Sequence, residues 1–146
     1  MSFKTLFIFI FLFSIGGMGL SGYLSWYTLW GPGCTETIVS CGGPEPILIA
    51  GQPTCVYGFF MFLMTGILAL LGIADKNKRA VLRWLLGVSI VGVGFSGFLT
   101  YYEMVVQKLD TLPACAYGLF LYVLILVFTV IGLKKHVELV PTQSHE

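Results

Sequence analysis

Charged residues are scarce in this chain. Only 10% of its 146 residues are Asp, Glu, Lys or Arg, and 57% are hydrophobic, whereas a typical soluble domain carries about 25% charged residues. This scarcity excludes an ordinary water-soluble fold. With a net charge of +1 and no long basic segment, the chain also lacks an electrostatic surface for nucleic acid. We therefore expect its function inside a membrane.

The short motifs of several common enzyme classes are also absent. The chain contains no phosphate-binding Gly-x-x-x-x-Gly-Lys loop, no His-Glu-x-x-His motif and no Gly-x-Ser-x-Gly motif, so phosphoryl transfer and hydrolysis have no support. Its two histidines, His136 and His145, follow the last apolar stretch, far from every cysteine. We predict no metal site, and a zinc site of four cysteines is disfavoured because no two are separated by only two to four residues.

Four long stretches contain no charged residue: Thr5–Thr35, Pro46–Ala74, Trp84–Tyr102 and Thr111–Leu133. Because about 20 apolar residues cross a bilayer core of roughly 30 Å, they predict four transmembrane helices. We place these helices near residues 4–30, 53–74, 80–104 and 112–133 of a single membrane domain, 1–146, with an outer loop at 31–52. A cleaved signal peptide is the weaker alternative for the first stretch, because its apolar character persists beyond the about 7–15 residues of a signal sequence.

The basic residues lie almost entirely at one set of helix ends. Only Lys108 lies at the opposite set, and the others are Lys4, Lys76, Lys78, Arg79, Arg83, Lys134 and Lys135. The positive-inside rule then predicts a multi-pass protein of the cell membrane with both termini in the cytoplasm. All four cysteines would face the oxidising side, where an even number of cysteines favours disulfides.

Two parts of the chain resemble each other. GMGLSGYLSWY at 17–27 resembles GVGFSGFLTYY at 92–102, and PTCVYG at 53–58 resembles PACAYG at 113–118. The predicted fold class is an all-α membrane protein, a four-helix bundle made of two parallel two-helix repeats about an axis along the membrane normal. The alternative is chance recurrence of small residues and Tyr-Gly, which the shared Pro-x-Cys-x-Tyr-Gly makes weaker.

Cys55 and Cys115 occupy matching positions in this repeat. Each stands two residues after a proline, a residue that suits the first position of a helix. Free amide groups and the helix dipole stabilise a thiolate there, unless burial in apolar surroundings prevails. Symmetry could bring the two thiols together, although both could instead be small buried hydrophobic residues. Glu103, near the outer end of the third helix, is interpreted as a solvated rim residue, with an intramembrane proton carrier as the alternative.

Cys34 and Cys41 lie in the outer loop and bracket Thr-Glu-Thr-Ile-Val-Ser between glycine-rich shoulders. Of the three possible pairings of four cysteines, only 34–41 with 55–115 uses both the short loop spacing and the repeat symmetry. Glycine mobility would let the loop pair close and swing as an electron shuttle. The alternative is a permanent disulfide that orders the loop.

In their order along the chain, these motifs resemble the bacterial and archaeal branch of the vitamin K epoxide reductase family. The resemblance rests on Ser-Gly-Tyr-Leu at 21–24, Ser-Cys-Gly-Gly at 40–43, Gly-Gln-Pro at 51–53 with Gly58, Phe-Leu-Thr-Tyr at 98–101, and Cys115 at the start of the fourth helix. Members of that family hold a four-helix bundle around a quinone. They carry electrons from thioredoxin-like proteins, through a loop cysteine pair, to a Cys-x-x-Cys pair beside the quinone.

The resemblance implies that Cys34 and Cys41 are the shuttle pair and that Cys115 is the second cysteine beside the quinone. The first cysteine of that second pair is missing, because Leu112 occupies its position. Either catalysis is lost, or Cys55 replaces the missing partner across the repeat axis. The second interpretation is favoured, because Cys55 stands where the family usually carries a small residue other than cysteine.

Together these features predict a membrane thiol–disulfide oxidoreductase that passes electrons from extracytoplasmic dithiols to a quinone of the ubiquinone or menaquinone type. Its expected partners are a thioredoxin-like extracytoplasmic protein and membrane lipid. Tyr57 and Tyr117 are candidates for hydrogen bonds to the quinone, with anchoring at the membrane interface as the alternative role. The rival class is a non-enzymatic four-helix membrane subunit with structural disulfides.

Overall fold

The computed structural model describes residues 2–30, 48–49, 51–74, 77–106 and 113–139. Its long helices are α1 (Phe3–Trp30), α2 (Thr54–Ala74), α3 (Lys78–Tyr101) and α4 (Ala114–Leu139), and a π-helical segment, Tyr102–Val106, continues α3. All four are long and apolar enough to cross a membrane. The predicted four-helix transmembrane architecture is therefore confirmed, and the chain is a multi-pass membrane protein. Most of the predicted outer loop, 31–47, lies outside the described residues.

A proline stands immediately before α2 and another before α4. Pro53 belongs to β2 (Gln52–Pro53), which pairs antiparallel with β1 (Leu48–Ile49), and Pro113 directly precedes Ala114. The predicted helices, from 53 and from 112, include these prolines, whereas α2 and α4 begin at the residue that follows each proline. The missing N–H costs no hydrogen bond at this position, because the first N–H groups of a helix have no partner within it. Each cysteine is therefore the second residue of its helix.

α4 continues to Leu139, beyond its predicted end at Leu133. The basic residues that follow Leu133 do not stop the helix, since cations near a helix C-terminus interact favourably with its dipole. They also pack on α1. The ammonium groups of Lys78 and Lys135 lie 5.6 Å and 5.7 Å from the centre of the Phe3 ring, and the His136 ring meets it edge-on at 6.1 Å. We call this the basic end, and the opposite end, where α2 and α4 start, the cysteine end.

The core runs along the middle of the bundle. α1 packs mainly on α2, and α3 packs mainly on α4. Gly17 and Gly92 allow these helices to approach closely, because a residue without a side chain leaves room for a ring of the neighbouring helix. The Phe62 ring lies against the backbone at Gly17, and the Tyr122 ring lies against the backbone at Gly92. The two rings also stack on each other, with centroids 4.3 Å apart. Their stack fills the centre of the bundle between the cysteine end and the basic end.

Candidate functional site

A cavity lies between all four helices on the cysteine side of the Phe62–Tyr122 stack, and we call it the central cavity. Every helix contributes to its lining, which includes Leu24, Cys55, Leu99 and Cys115 as well as the two stacked rings. Phe62 follows Cys55 by two helical turns, so the rings lie roughly 10 Å deeper than the thiol along α2. The wall is almost entirely apolar, and the cysteines are its most reactive groups.

Cys55 and Cys115 both line this cavity as free thiols, each of them half-buried. They come from α2 and α4, at the second residue of each helix. The structure thus brings together two of the four cysteines that the sequence proposes as site residues. The other two, Cys34 and Cys41, lie outside the described residues, as does Leu112.

Glu103 is buried beside Cys115, and its interpretation as a solvated rim residue is wrong. Only 2% of its surface is exposed. The Cys115 thiol donates a hydrogen bond to Glu103 Oε1 at an Sγ–O distance of 3.8 Å. The other oxygen, Oε2, is buried and has no hydrogen-bond partner among the described residues. A carboxyl group and two thiols therefore meet at one end of the bundle.

Helical periodicity explains why Glu103 faces inward. The buried residues of α3 recur every three or four positions and include Ser89, Gly92, Ser96 and Leu99. Glu103 is four residues after Leu99, on the same face. This spacing was visible in the sequence. The charge is an opposing signal, because a charged residue near a predicted helix end indicates exposure to solvent.

The two candidate tyrosines lie away from the central cavity. The Tyr57 hydroxyl donates a hydrogen bond to the Ile49 carbonyl at 2.8 Å, which ties α2 to the short β1 strand. Tyr117 is 42% exposed on α4. Neither residue lines the cavity that holds the thiols. This placement does not support a role in binding a quinone beside the cysteines.

The central cavity has a volume of about 50 Å³. A single water needs only about 10–15 Å³ of such space, whereas a cavity known to accept benzene measures about 150 Å³. A quinone ring therefore does not fit between the helices as they are packed here. An open groove of about 360 Å³ between α1 and α2, lined by Trp26, Trp30, Phe59 and Phe60, is large enough for a ring, but neither thiol lines it.

Comparison with models of known protein families and with curated proteins finds no match for this chain. The resemblance to the vitamin K epoxide reductase family therefore rests on the sequence motifs alone.

Proposed function

We propose that the protein is a membrane thiol–disulfide oxidoreductase in which Cys55 and Cys115 form the redox pair. The observation that carries the proposal is that both thiols line one small cavity, from the same position in two different helices. Two isolated cysteines that served only as small apolar residues would have no reason to share a site. Their partial burial keeps them accessible to a partner that approaches the cysteine end.

The proposed two-helix repeat gives this pairing a structural reason. Buried residues recur at corresponding positions of α1 and α3, which supports the repeat. The corresponding pairs are Leu6 and Val81, Phe7 and Leu82, Ile10 and Leu85, Ser14 and Ser89, Gly17 and Gly92, and Leu24 and Leu99. Phe62 and Tyr122 correspond in α2 and α4, so a twofold axis through their stack would set Cys55 opposite Cys115.

The chemistry would be thiol–disulfide exchange. In the oxidised protein a disulfide joins Cys55 to Cys115. A thiolate of a substrate dithiol attacks one sulfur, forms a mixed disulfide and releases the other cysteine as a thiolate, which takes a proton. The second substrate thiolate then attacks the mixed disulfide, and the substrate leaves oxidised. Two electrons and two protons have then moved to the protein, which holds two thiols.

Return to the disulfide requires an acceptor of two electrons. We propose a quinone, because the family resemblance implies one and the site lies within a membrane-spanning bundle. A bound quinone would supply the capacity to accept two electrons and two protons. Since the central cavity does not enclose a ring, access requires the helices around Cys55 and Cys115 to separate.

The proposal extends to the direction of electron flow. With both termini in the cytoplasm, the cysteine end would face the extracytoplasmic side, where disulfides persist. Cys34 and Cys41 would then relay electrons from a thioredoxin-like protein to the redox pair. Their place in the glycine-rich loop before α2 suits such a relay.

A non-enzymatic membrane subunit is the second candidate function. Two observations favour it. Leu112 stands where the vitamin K epoxide reductase family has a cysteine, and the central cavity is too small for a quinone ring. In that case Cys55 and Cys115 would stay reduced as packing residues of the cysteine end.

The test uses the full chain in detergent or lipid nanodiscs, with Cys34 and Cys41 changed to Ser. After reduction and removal of the reductant, a short-chain ubiquinone analogue is added, and cross-linked peptides are sought by mass spectrometry. We expect a Cys55–Cys115 cross-link together with loss of quinone absorbance, and neither signal in a matched Cys55→Ser variant. A cross-link with diamide but none with the quinone would remove the quinone from the proposal. No cross-link with either oxidant would favour the non-enzymatic subunit.

A further inference from the structure

Glu103 is a buried acid that the exchange chemistry described above does not use. We propose that Glu103 is the proton partner of Cys115: it accepts the hydrogen bond of the thiol in the reduced protein and holds that proton after the pair is oxidised. The inference rests on the proposed function, because it requires a Cys55–Cys115 disulfide. It does not depend on the identity of the electron acceptor.

The geometry gives the carboxyl group one reactive neighbour at hydrogen-bond distance. Glu103 Oε1 lies 3.8 Å from Cys115 Sγ, within the range of a hydrogen bond from sulfur. Cys55 lines the central cavity together with Cys115. The other titratable side chain that lines the cavity is that of Tyr122, deeper in α4, and α1 contributes none.

Removal of the thiol proton changes the surroundings of this carboxyl group. In the reduced protein the Cys115 S–H group donates to Oε1, while Oε2 has no partner among the described residues. Once the sulfur is in a disulfide, Oε1 loses its donor as well. A buried carboxylate with neither a hydrogen bond nor a counter-ion is costly. The Lys and Arg residues of the described ranges belong to the basic end or to the first turns of α3 beside it, so among the described residues no counter-ion compensates Glu103, and we assign this role to a proton.

Atoms and electrons balance in this scheme. Oxidation moves two electrons from the Cys55 and Cys115 sulfurs to the acceptor and forms one S–S bond. The Cys55 proton leaves the protein, and the Cys115 proton moves to Glu103. When a substrate dithiol reduces the disulfide, Cys115 is released as a thiolate and takes the proton back from Glu103. The carboxyl group thus supplies the Cys115 sulfur with a proton from within the site.

The local backbone is consistent with a functional role. Glu103 lies in the five-residue π-helical segment that continues α3. Segments of this kind are rare and often occur at functional sites. Thr28 occupies the corresponding position of α1, where its hydroxyl donates to the Leu24 carbonyl at 2.9 Å. The acid therefore belongs to only one of the two helix pairs.

Proton counting tests the proposal without a quinone. The Cys34→Ser/Cys41→Ser protein is reduced, placed in weak buffer with a pH indicator and oxidised with diamide, which takes two electrons and two protons from a dithiol. If Glu103 keeps one proton, one proton per disulfide is drawn from solution. We expect this proton uptake in the protein that retains Glu103 and no proton uptake in its Glu103→Gln variant. Glu138→Gln, which removes a carboxyl group near the other end of α4, should leave the uptake unchanged.

Infrared difference spectroscopy gives a second measurement, whose first observation is made on the protein with Glu103 unchanged. Oxidation by diamide should produce a band of a protonated carboxyl group, which Glu103→Gln removes and Glu103→Asp retains. A disulfide that forms without proton uptake and without this band would overturn the role of Glu103 and leave the redox pair intact. If no disulfide forms, the redox pair and the proton partner fail together.

Discussion

Gly17 and Gly92 allow two aromatic rings to meet at the centre of the bundle. A Cβ atom added at Gly92 would come within 2.5 Å of the Tyr122 ring, and one added at Gly17 would collide with the Phe62 ring in the same way. Neither ring can withdraw easily, because each is stacked on the other. Close contact of backbone with side chains is a main source of attraction between membrane helices, since lipid provides no hydrophobic driving force.

A methyl group at Gly92 should therefore destabilise the fold. We expect Gly92→Ala to lower the free energy of unfolding by about 1–3 kcal/mol, the usual range for overpacking a core. Gly94→Ala is the matched control, because an added Cβ at Gly94 meets nothing within 4 Å. Denaturation of the purified protein in mixed micelles would measure both. Equal stability of the two variants would mean that the Tyr122 ring can move aside.

At the scale of helices and their ends, α1 and α4 are joined at the basic end through one aromatic ring. The ring of Phe3 is flanked by the ammonium groups of Lys78 and Lys135. Each cation–π contact at an exposed site contributes about 0.5–1 kcal/mol. The ring therefore connects the start of α1 to the start of α3 and the last turns of α4.

Phe3→Leu tests this connection, because leucine keeps the apolar contact and removes the aromatic face. We expect the free energy of unfolding to fall by about 1–2 kcal/mol, the sum of two such contacts. Phe3→Tyr retains the ring and should keep the stability of the original protein. A fall of the same size in both variants would assign the effect to packing of phenylalanine itself.

The sequence was sufficient to predict the number and nature of the helices. Four uncharged stretches of membrane-spanning length leave few alternatives for a backbone that must satisfy its own hydrogen bonds. Exact ends were less predictable. Helix propensity does not fall from Leu133 to Lys134 and Lys135, so α4 continues where the apolar run stops. Pro53 and Pro113 correctly predict where α2 and α4 begin, except that each helix starts at the residue after its proline.

Of the candidate site, the sequence predicted the two cysteines but not the residue beside them. Matching motifs at 53–58 and 113–118 pointed to Cys55 and Cys115, and both line one cavity. The position of Glu103, four residues after Leu99 on the buried face of α3, indicates burial, but its charge near a predicted helix end indicates exposure to solvent. The cavity volume depends on packing details that motifs do not contain.

On the scale of the whole molecule, the distribution of charge predicts how the bundle sits in the membrane. The described cations gather at the basic end, and positive residues favour the cytoplasmic side. Reduced cells treated with a membrane-impermeant maleimide should therefore be labelled at Cys34 or Cys41 without permeabilisation. A cysteine introduced at Ser2, at the basic end, in a protein without Cys34 and Cys41 is the control, and it should react only after permeabilisation. The reverse pattern would mean that the orientation is inverted.

The stacked rings of Phe62 and Tyr122 also separate the cavity that holds the thiols from the basic end of the bundle. Beyond them, toward the basic end, the centre is filled by side chains such as Ile10, Leu85 and Ile125, which are fully buried. The hydroxyls of Ser14 and Ser89 donate to carbonyls of their own helices and form no chain of hydrogen bonds across the core. In the proposed reaction, protons exchanged at the thiols would therefore return to the side from which they came. Electrons would then pass to a quinone in the lipid without discharging the voltage across the membrane.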